Sequence, residues 1–272
     1  MANNIENALY VVATPIGNLD DITLRALDVL KNVDVIAAED TRNTSVLLEK
    51  YSISTKLISY HKYSENSRLE LFLGYLNEGK SIALVSDAGT PLISDPGAVL
   101  VEAVKNEGYK VIPIVGASAI LALLSSIPRI DEDFKFIGFL PRVKNQIKEI
   151  ISKNKNENLV FYESPNRLIE TLEIIKEDYP NKKIALGREL TKKFEEIKVL
   201  SVVDMIEYYK NNILKGELAL MLYKDDEKDE IDVSDKIKKL KKLNLKDKEI
   251  SSILAILYDL NKNQIYRECL KN

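Results

Sequence analysis

Residues 85–97 read Val-Ser-Asp-Ala-Gly-Thr-Pro-Leu-Ile-Ser-Asp-Pro-Gly, setting a carboxylate at Asp87, a glycine at Gly89 and hydroxyls at Thr90 and Ser94 within one short stretch. A carboxylate accepts hydrogen bonds from ligand amines and hydroxyls, and a glycine lets a ligand approach the backbone. The same stretch also reads as a plain Gly/Pro turn, and composition alone leaves the two readings level. Shorter small-residue loops stand at 14–18 (Thr-Pro-Ile-Gly-Asn) and 115–119 (Val-Gly-Ala-Ser-Ala). Two charged clusters join them: Glu39-Asp40-Thr41-Arg42, and Arg188-Glu189-Leu190-Thr191-Lys192 with Lys193 behind it. Carboxylates so placed can act as general bases and the cations can grip phosphate. The bland alternatives are a helix start, which acids favour, and an ordinary ion-pair network. His61, the only histidine, has no second imidazole with which to share a metal, which leaves a surface or substrate-edge role.

One formal motif misleads. Gly74 to Ser81 match GxxxxGK[ST], a phosphate loop only when a strand precedes it and a helix follows. Here the order is reversed: Leu69, Phe72, Leu73 and Leu76 form a helical stripe before it, and a strand-like run begins at Ile82, so Gly79 reads as a helix end. No GxGxxG occurs, so a pyrophosphate cofactor is not indicated.

The elements that must position these residues follow from periodicity. Strand-like apolar runs at 9–13, 34–38, 56–60, 81–86 and 110–114 alternate with helical segments at 22–31, 44–51, 65–77, 97–106 and 118–126. Such alternation predicts right-handed crossovers and a mostly parallel sheet, whose loops at the carboxyl ends of the strands line one crevice. All three small-residue loops and the cluster at 39–42 follow strands, so they should converge. The polar, proline-containing segment 126–133 marks a boundary. Beyond it, strands are expected at 134–138, 159–162, 183–186 and 217–223, with helices at 144–153, 165–178 and 203–211. The acidic run 225–230 reads as a solvated linker. A lysine-rich helical tail then carries a possible apolar stripe of Leu240, Leu243, Ile250, Ile253, Leu254, Leu257 and Leu260. The expected organisation is an α/β domain at 1–127, a second at 128–226, and linker plus tail at 227–272.

Composition narrows the class. At 272 residues, with 45% hydrophobic and 30% charged residues, the chain is long enough for two cored domains and is not wholly disordered. The single Cys269 excludes an internal disulfide and a multi-cysteine metal site, and suits a reducing cytoplasm. The first residues lack a basic and an apolar leader region, and no apolar run is long enough to span a bilayer, so neither secretion nor membrane association is expected. Net charge is −3, so any nucleic-acid contact must use a local patch such as the tail lysines.

Several segments together resemble one family: residues 9–23, 37–42, 84–97, 138–141 (Gly-Phe-Leu-Pro), 161–164 (Phe-Tyr-Glu-Ser), 188–192 and 215–217 (Lys-Gly-Glu). They are similar, in order, to the bacterial small-subunit ribosomal RNA 2′-O-ribose methyltransferases, within the tetrapyrrole-methylase superfamily of S-adenosylmethionine enzymes. The resemblance implies two α/β domains with the cofactor cleft between them, plus the helical tail, and a homodimer; that no metal is expected rests on the single His61 and the single Cys269. It implies S-adenosyl-L-methionine as methyl donor and, as target, the ribose of a decoding-centre cytidine in 16S rRNA within the small ribosomal subunit. The donor role carries over to Thr14, Pro15 and Ile16, to Asp87, Gly89 and Thr90, to Ser118 and Ala119, and, on the second domain, to Phe161, Tyr162 and Leu186. One departure stands out: the family's third loop is usually Pro-Gly-Pro followed by a small residue, whereas residues 115–118 read Val-Gly-Ala-Ser, which implies a less rigid loop.

Under that reading Glu39 or Asp40 takes the proton from the ribose hydroxyl or orients it, while Arg42, His61, Arg188, Glu189 and Lys192 meet the RNA. Nothing in the sequence chooses between the two acids. Two other readings stay open: a tetrapyrrole methylase of the same superfamily, and a non-catalytic ribosome- or phosphate-binding module.

Overall fold

In a computed structural model, which describes residues 5–128, 133–210, 215–224, 233–243, 245–258 and 261–271, the first five apolar runs are strands. They are β1 (Ala8–Val12), β2 (Val35–Ala38), β3 (Lys56–Ser59), β4 (Ile82–Val85) and β5 (Lys110–Ile114). Between and after them lie α1 (Leu24–Asn32), α2 (Thr41–Lys50), α3 (Glu65–Asn77), α4 (Ala98–Asn106) and α5 (Ala119–Ser125). The sheet has the order β3-β2-β4-β1-β5, and every pairing in it is parallel.

Alternation along each strand decides the layers. Tyr10, Val12, Ile36, Ala38, Ala83 and Val85 pack with Ala26, Val29, Leu30, Leu47 and Leu48 of α1 and α2. Their neighbours Leu9, Val35, Ala37, Ile82 and Leu84 face Phe72, Leu76, Leu100 and Val104 of α3 and α4 on the other side. Because the chain leaves β1 for α1 on one face of the sheet and leaves β4 for α4 on the other, the loops after these adjacent strands part from each other. Such a divergence is where open parallel sheets bind ligands.

The second sheet is built from β6 (Lys135–Phe139), β7 (Leu159–Glu163), β8 (Lys183–Arg188), β9 (Glu196–Ser201) and β10 (Leu218–Leu222), in the order β6-β7-β10-β8-β9. Only β6 and β7 run parallel; the remaining pairs are antiparallel. β9 was not expected from the sequence. Its Glu-Ile-Lys-Val-Leu-Ser run is half-buried throughout and lies at a sheet edge, so it lacks the apolar continuity of an inner strand. One face of this sheet, with Phe161, Leu186 and Leu220, packs on α6 (Lys144–Lys153), α7 (Leu168–Asp178) and α8 (Val202–Lys210). The other face, with Val160, Ala185, Ala219 and Met221, packs on Ile120, Leu123 and Leu124 of α5.

These elements belong to the compact unit Met1–Lys224; Asp225–Asn272 form a second unit. Within that second unit α9 (Ser234–Lys241), α10 (Asp247–Tyr258) and α11 (Lys262–Lys271) enclose Val233, Ile237, Ile250, Leu254, Ile265 and Cys269. The expected continuous stripe is therefore broken: Leu243 and Leu257 are exposed, because three short helices each restart the phase of the apolar pattern. Leu260, the linker 225–230 and part of segment 126–133 lie outside the described residues. No helix among the described residues is long and apolar enough to cross a membrane.

Candidate active site

The three small-residue loops are tied to one another at the carboxyl ends of β1, β4 and β5. Thr14 and Gly89 exchange backbone hydrogen bonds of 2.8 and 3.0 Å, and Thr14 Oγ1 donates to the Ser86 carbonyl at 3.2 Å. Thr90 Oγ1 donates to the Ala117 carbonyl at 3.2 Å. A Cβ at Gly116 would lie 2.9 Å from the Ala13 Cβ, so the third loop lies directly against the end of β1. These cross-links restrain the 115–118 loop, which was expected from the sequence to be less rigid.

Beside them opens a cavity of about 440 Å³. From the first sheet's side it is lined by Ile16, Glu39, Asp87 to Thr90, Ile93 to Asp95, Ser118 and Ala119; from the second sheet's side come Phe139, Tyr162 to Pro165, Gly187, Leu190 and Gly216 to Ala219. Of the residues expected to hold a donor, Ile16, Asp87, Gly89, Thr90, Ser118, Ala119 and Tyr162 stand on its wall. Thr14 and Pro15 are buried just behind. Phe161 and Leu186 do not line it: both lie in the core against α6, α7 and α8. The period of two explains the difference, since their strand neighbours Tyr162 and Gly187 face the cavity instead.

The lining includes five acidic residues, Glu39, Asp87, Asp95, Glu163 and Glu217, and among the described residues no Lys, Arg or His. The Glu163 carboxylate is buried beside Arg167 and Glu217 is paired with Lys192, which leaves Glu39, Asp87 and Asp95 as the carboxylates without an ion pair among the described residues. Burial pushes the Glu39 carboxyl above its ordinary range, and the carboxylates of Asp87 and Asp95 push the same way. Asp95 is raised by burial too, with Asp87 adding to it against a hydrogen bond from Ser86. Burial, with Asp95 and Glu217 nearby, takes the Tyr162 phenol up to about 12. Asp87 ties this group to α2: its Oδ1 accepts from the Asp40 N–H at 3.1 Å and its Oδ2 from Asn43 Nδ2 at 3.2 Å.

Asp40 behaves differently from its neighbour. It is the N-cap of α2, accepting from the Arg42 N–H at 2.9 Å, and the Arg42 guanidinium forks onto its carboxylate at 3.0 and 2.5 Å. The Arg42 bonds hold the Asp40 carboxyl down at about 2, where it is a poor proton acceptor. Asp40→Asn, which keeps a good N-cap residue, is accordingly expected to retain the single-turnover rate within a few-fold; a loss comparable with removing Glu39 would return Asp40 to the chemistry.

The expected RNA contacts divide. Arg42 is 88% exposed. His61 lies two residues past the end of β3, and its buried Nδ1 has no hydrogen-bond partner among the described residues. Arg188 is instead half-buried and paired with Glu196 at 3.3 Å. Lys192 lies 2.9 Å from both Glu189 and Glu217; burial works against its ammonium, yet the two carboxylates outweigh it and keep the group charged. Glu189 Oε1 also accepts from the Glu217 N–H at 3.0 Å. Residues 188–192 thus brace the Lys215-Gly-Glu turn. They also meet the first loop, where Asn18 N donates to Thr191 Oγ1 at 3.1 Å and a side chain on Gly17 would collide with Lys192.

The wall residues Asp95, Glu163, Gly187, Leu190 and Gly216 to Ala219 were not singled out from the sequence. The Lys-Gly-Glu string at 215–217 was the available signal: Gly216 has φ +97°, and a Cβ there would strike the Glu189 side chain. Gly216→Ala is expected to lose about 2 kcal/mol in urea unfolding, from left-handed backbone strain and the displaced Glu189. An unchanged midpoint would show that the turn is not so constrained.

Comparison with known proteins accords with this geometry. The family model for Tetrapyrrole (Corrin/Porphyrin) Methylases matches residues 8–205. A ribosomal RNA small subunit methyltransferase I from Rickettsia prowazekii is 44% identical over 222 residues, covering 80% of this chain and 79% of that one. A protein of the same name from Vibrio cholerae is 39% identical over 274 residues, covering 97% and 94%. In fold alone, the crystal structure of a cobalamin biosynthetic enzyme, cobalt precorrin-4 methyltransferase, is similar with a TM-score of 0.60 at 17% identity, over 79% of this chain and 94% of that one. The cavity at the diverging ends of β1 and β4, the loops that frame it and these matches along the chain place the protein in the tetrapyrrole methylase family, among the ribosomal RNA small subunit methyltransferase I proteins.

Proposed function

We propose that the protein transfers a methyl group from S-adenosyl-L-methionine to the 2′-hydroxyl of a cytidine ribose of the C1402 type in the decoding centre of 16S rRNA, presented within the small ribosomal subunit. The observation that carries this reading is the cavity wall itself, where Glu39, Asp87 and Asp95 stand without an ion pair and no cation is among the described lining residues. Such a wall suits a donor bearing sulfonium and ammonium charges and repels RNA phosphates, so that only a ribose edge is drawn to the mouth. The RNA substrate is supported by the relatives, which are named ribosomal RNA small subunit methyltransferase I.

The residues present fit the donor. Ile16, Asp87, Gly89, Thr90, Ser118 and Ala119 would hold it from the first sheet's loops, with Tyr162 and Gly216 to Ala219 opposite. When bound, it supplies a methyl carbon whose bond to the sulfonium breaks as a bond to the 2′-oxygen forms, leaving a neutral thioether. Glu39 takes the hydroxyl proton: it is the cavity carboxylate whose proton affinity is raised by burial and by two neighbouring carboxylates. A base matched in this way contributes about 10²–10⁴-fold, and holding the two reacting groups in line contributes about 7–11 kcal/mol more. Assembly as a homodimer in the cytoplasm belongs to the same reading; β5 is a free sheet edge, with Val115 and Leu121 exposed just beyond it.

Calorimetry with S-adenosylmethionine tests the donor assignment. One-site binding that Asp87→Ala weakens is the expected result; absence of binding would leave a non-catalytic module.

A further inference from the structure

We propose that Phe139 is the platform on which the target nucleobase stacks while its ribose is offered to the cavity, an inference that rests on the RNA reading above. Phe139 lines the cavity yet is 58% exposed, so one of the largest apolar side chains of the site stands in solvent at its mouth. Its position is built by an irregularity. In a regular strand, residues three apart face opposite sides of the sheet. Yet Phe136 and Phe139 both meet the Tyr162 ring, at centroid distances of 5.2 and 5.6 Å. The register of β6 against β7 shifts between these two residues, and Gly138 between them has φ +71°. The left-handed glycine turns the strand so that a second aromatic ring reaches the cavity side.

The result is a cluster of three rings in edge-on and tilted contact, whose outermost member is the exposed one. An exposed aromatic ring held in place by neighbouring rings can stack planar heteroaromatics, and proteins that read single-stranded RNA splay bases onto such rings. The charge of the site points to the same occupant. With no cation in the wall, a phosphate finds no partner inside, whereas a neutral base can enter beside Ile93, which lines the same cavity and is 45% exposed. The donor's adenine is the competing occupant, and donor affinity separates the two.

The test compares wild type, Phe139→Ala and Phe139→Trp by single-turnover methylation of small ribosomal subunits from cells lacking the gene, with calorimetric affinity for S-adenosylmethionine measured alongside. Phe139→Ala is expected to lower the apparent second-order rate on the subunit by about 10- to 100-fold, with donor affinity within about twofold and Phe139→Trp close to wild type. Because the ring is exposed, its removal should leave the melting temperature unchanged. Equal rates for Phe139→Ala and wild type would overturn the proposal, and so would a parallel loss of donor affinity, which would assign the ring to adenine. A wild-type protein that binds the donor but does not methylate the subunit would remove the RNA reading and this inference together, an outcome distinct from an active wild type with an indifferent variant.

Discussion

Glu39→Gln is expected to lower the single-turnover methylation rate by about 10²–10⁴-fold without weakening the donor. Gln is nearly the same shape, so what it removes is proton acceptance. In the wild type the rate should rise with pH and level off once the carboxylate is ionised, with its inflection above the ordinary glutamate value of 4.5, because burial, Asp87 and Asp95 all raise Glu39. The sign for stability runs the other way from that for activity. A carboxyl whose folded-state proton affinity is raised binds its proton more tightly when folded, so ionising it at neutral pH costs stability, and that cost fades as pH falls from the folded to the unfolded value and is gone below the latter. Glu39→Gln should therefore melt no lower than wild type at pH 7. An inactive variant that also melts early would be a folding lesion, and a variant at full rate would place the base elsewhere.

The largest expected stability loss lies beneath the cavity floor. The Glu163 side chain is fully buried; it accepts from the Ser164 N–H at 2.7 Å and from Thr171 Oγ1 at 2.8 Å, and Arg167 Nη2 stands 3.5 Å away. Arg167 donates onward to the carbonyls of Leu140 and Pro141, at 3.3 and 2.7 Å, and so fastens the turn after β6 to the start of α7. Arg167→Met leaves a buried carboxylate without its counter-charge and two carbonyls without their donor. The expected cost is about 3 kcal/mol in urea unfolding. Adding Glu163→Gln removes the uncompensated charge and should recover about 1 kcal/mol or more. A single variant within about 0.5 kcal/mol of wild type would mean that water replaces the guanidinium.

How far the site was legible depends on which contacts are local. The loops at 14–18, 85–97 and 115–119 each follow an apolar strand, and strand order in a parallel sheet brings them together. Glu39 and Asp40 were legible as a pair but not as opposites, because the difference comes from Arg42 folding back on one and from Asp87 and Asp95 facing the other. Phe161 and Leu186 lie one residue from the cavity-lining Tyr162 and Gly187, and a fully apolar strand such as 159–161 does not declare which side faces the cavity. The sequence left Arg188 and Lys192 between phosphate contacts and an ion-pair cluster; in the structure they are paired, with partners supplied by β9 and by Glu217, 25 residues beyond Lys192. Phe139 was visible only as a letter in a motif; the bulge at Gly138 gives it its place.

The most direct measurement maps 2′-O-methyl groups on small-subunit ribosomal RNA from cells with and without the gene, then adds purified protein and S-adenosylmethionine to the subunits that lack it. The predicted result is one decoding-centre cytidine whose ribose is methylated only when the gene is present and is restored by the protein in vitro, but not by its Glu39→Gln variant. Identical methyl maps from the two cell types, or a restored methyl on a base rather than a ribose oxygen, would contradict it.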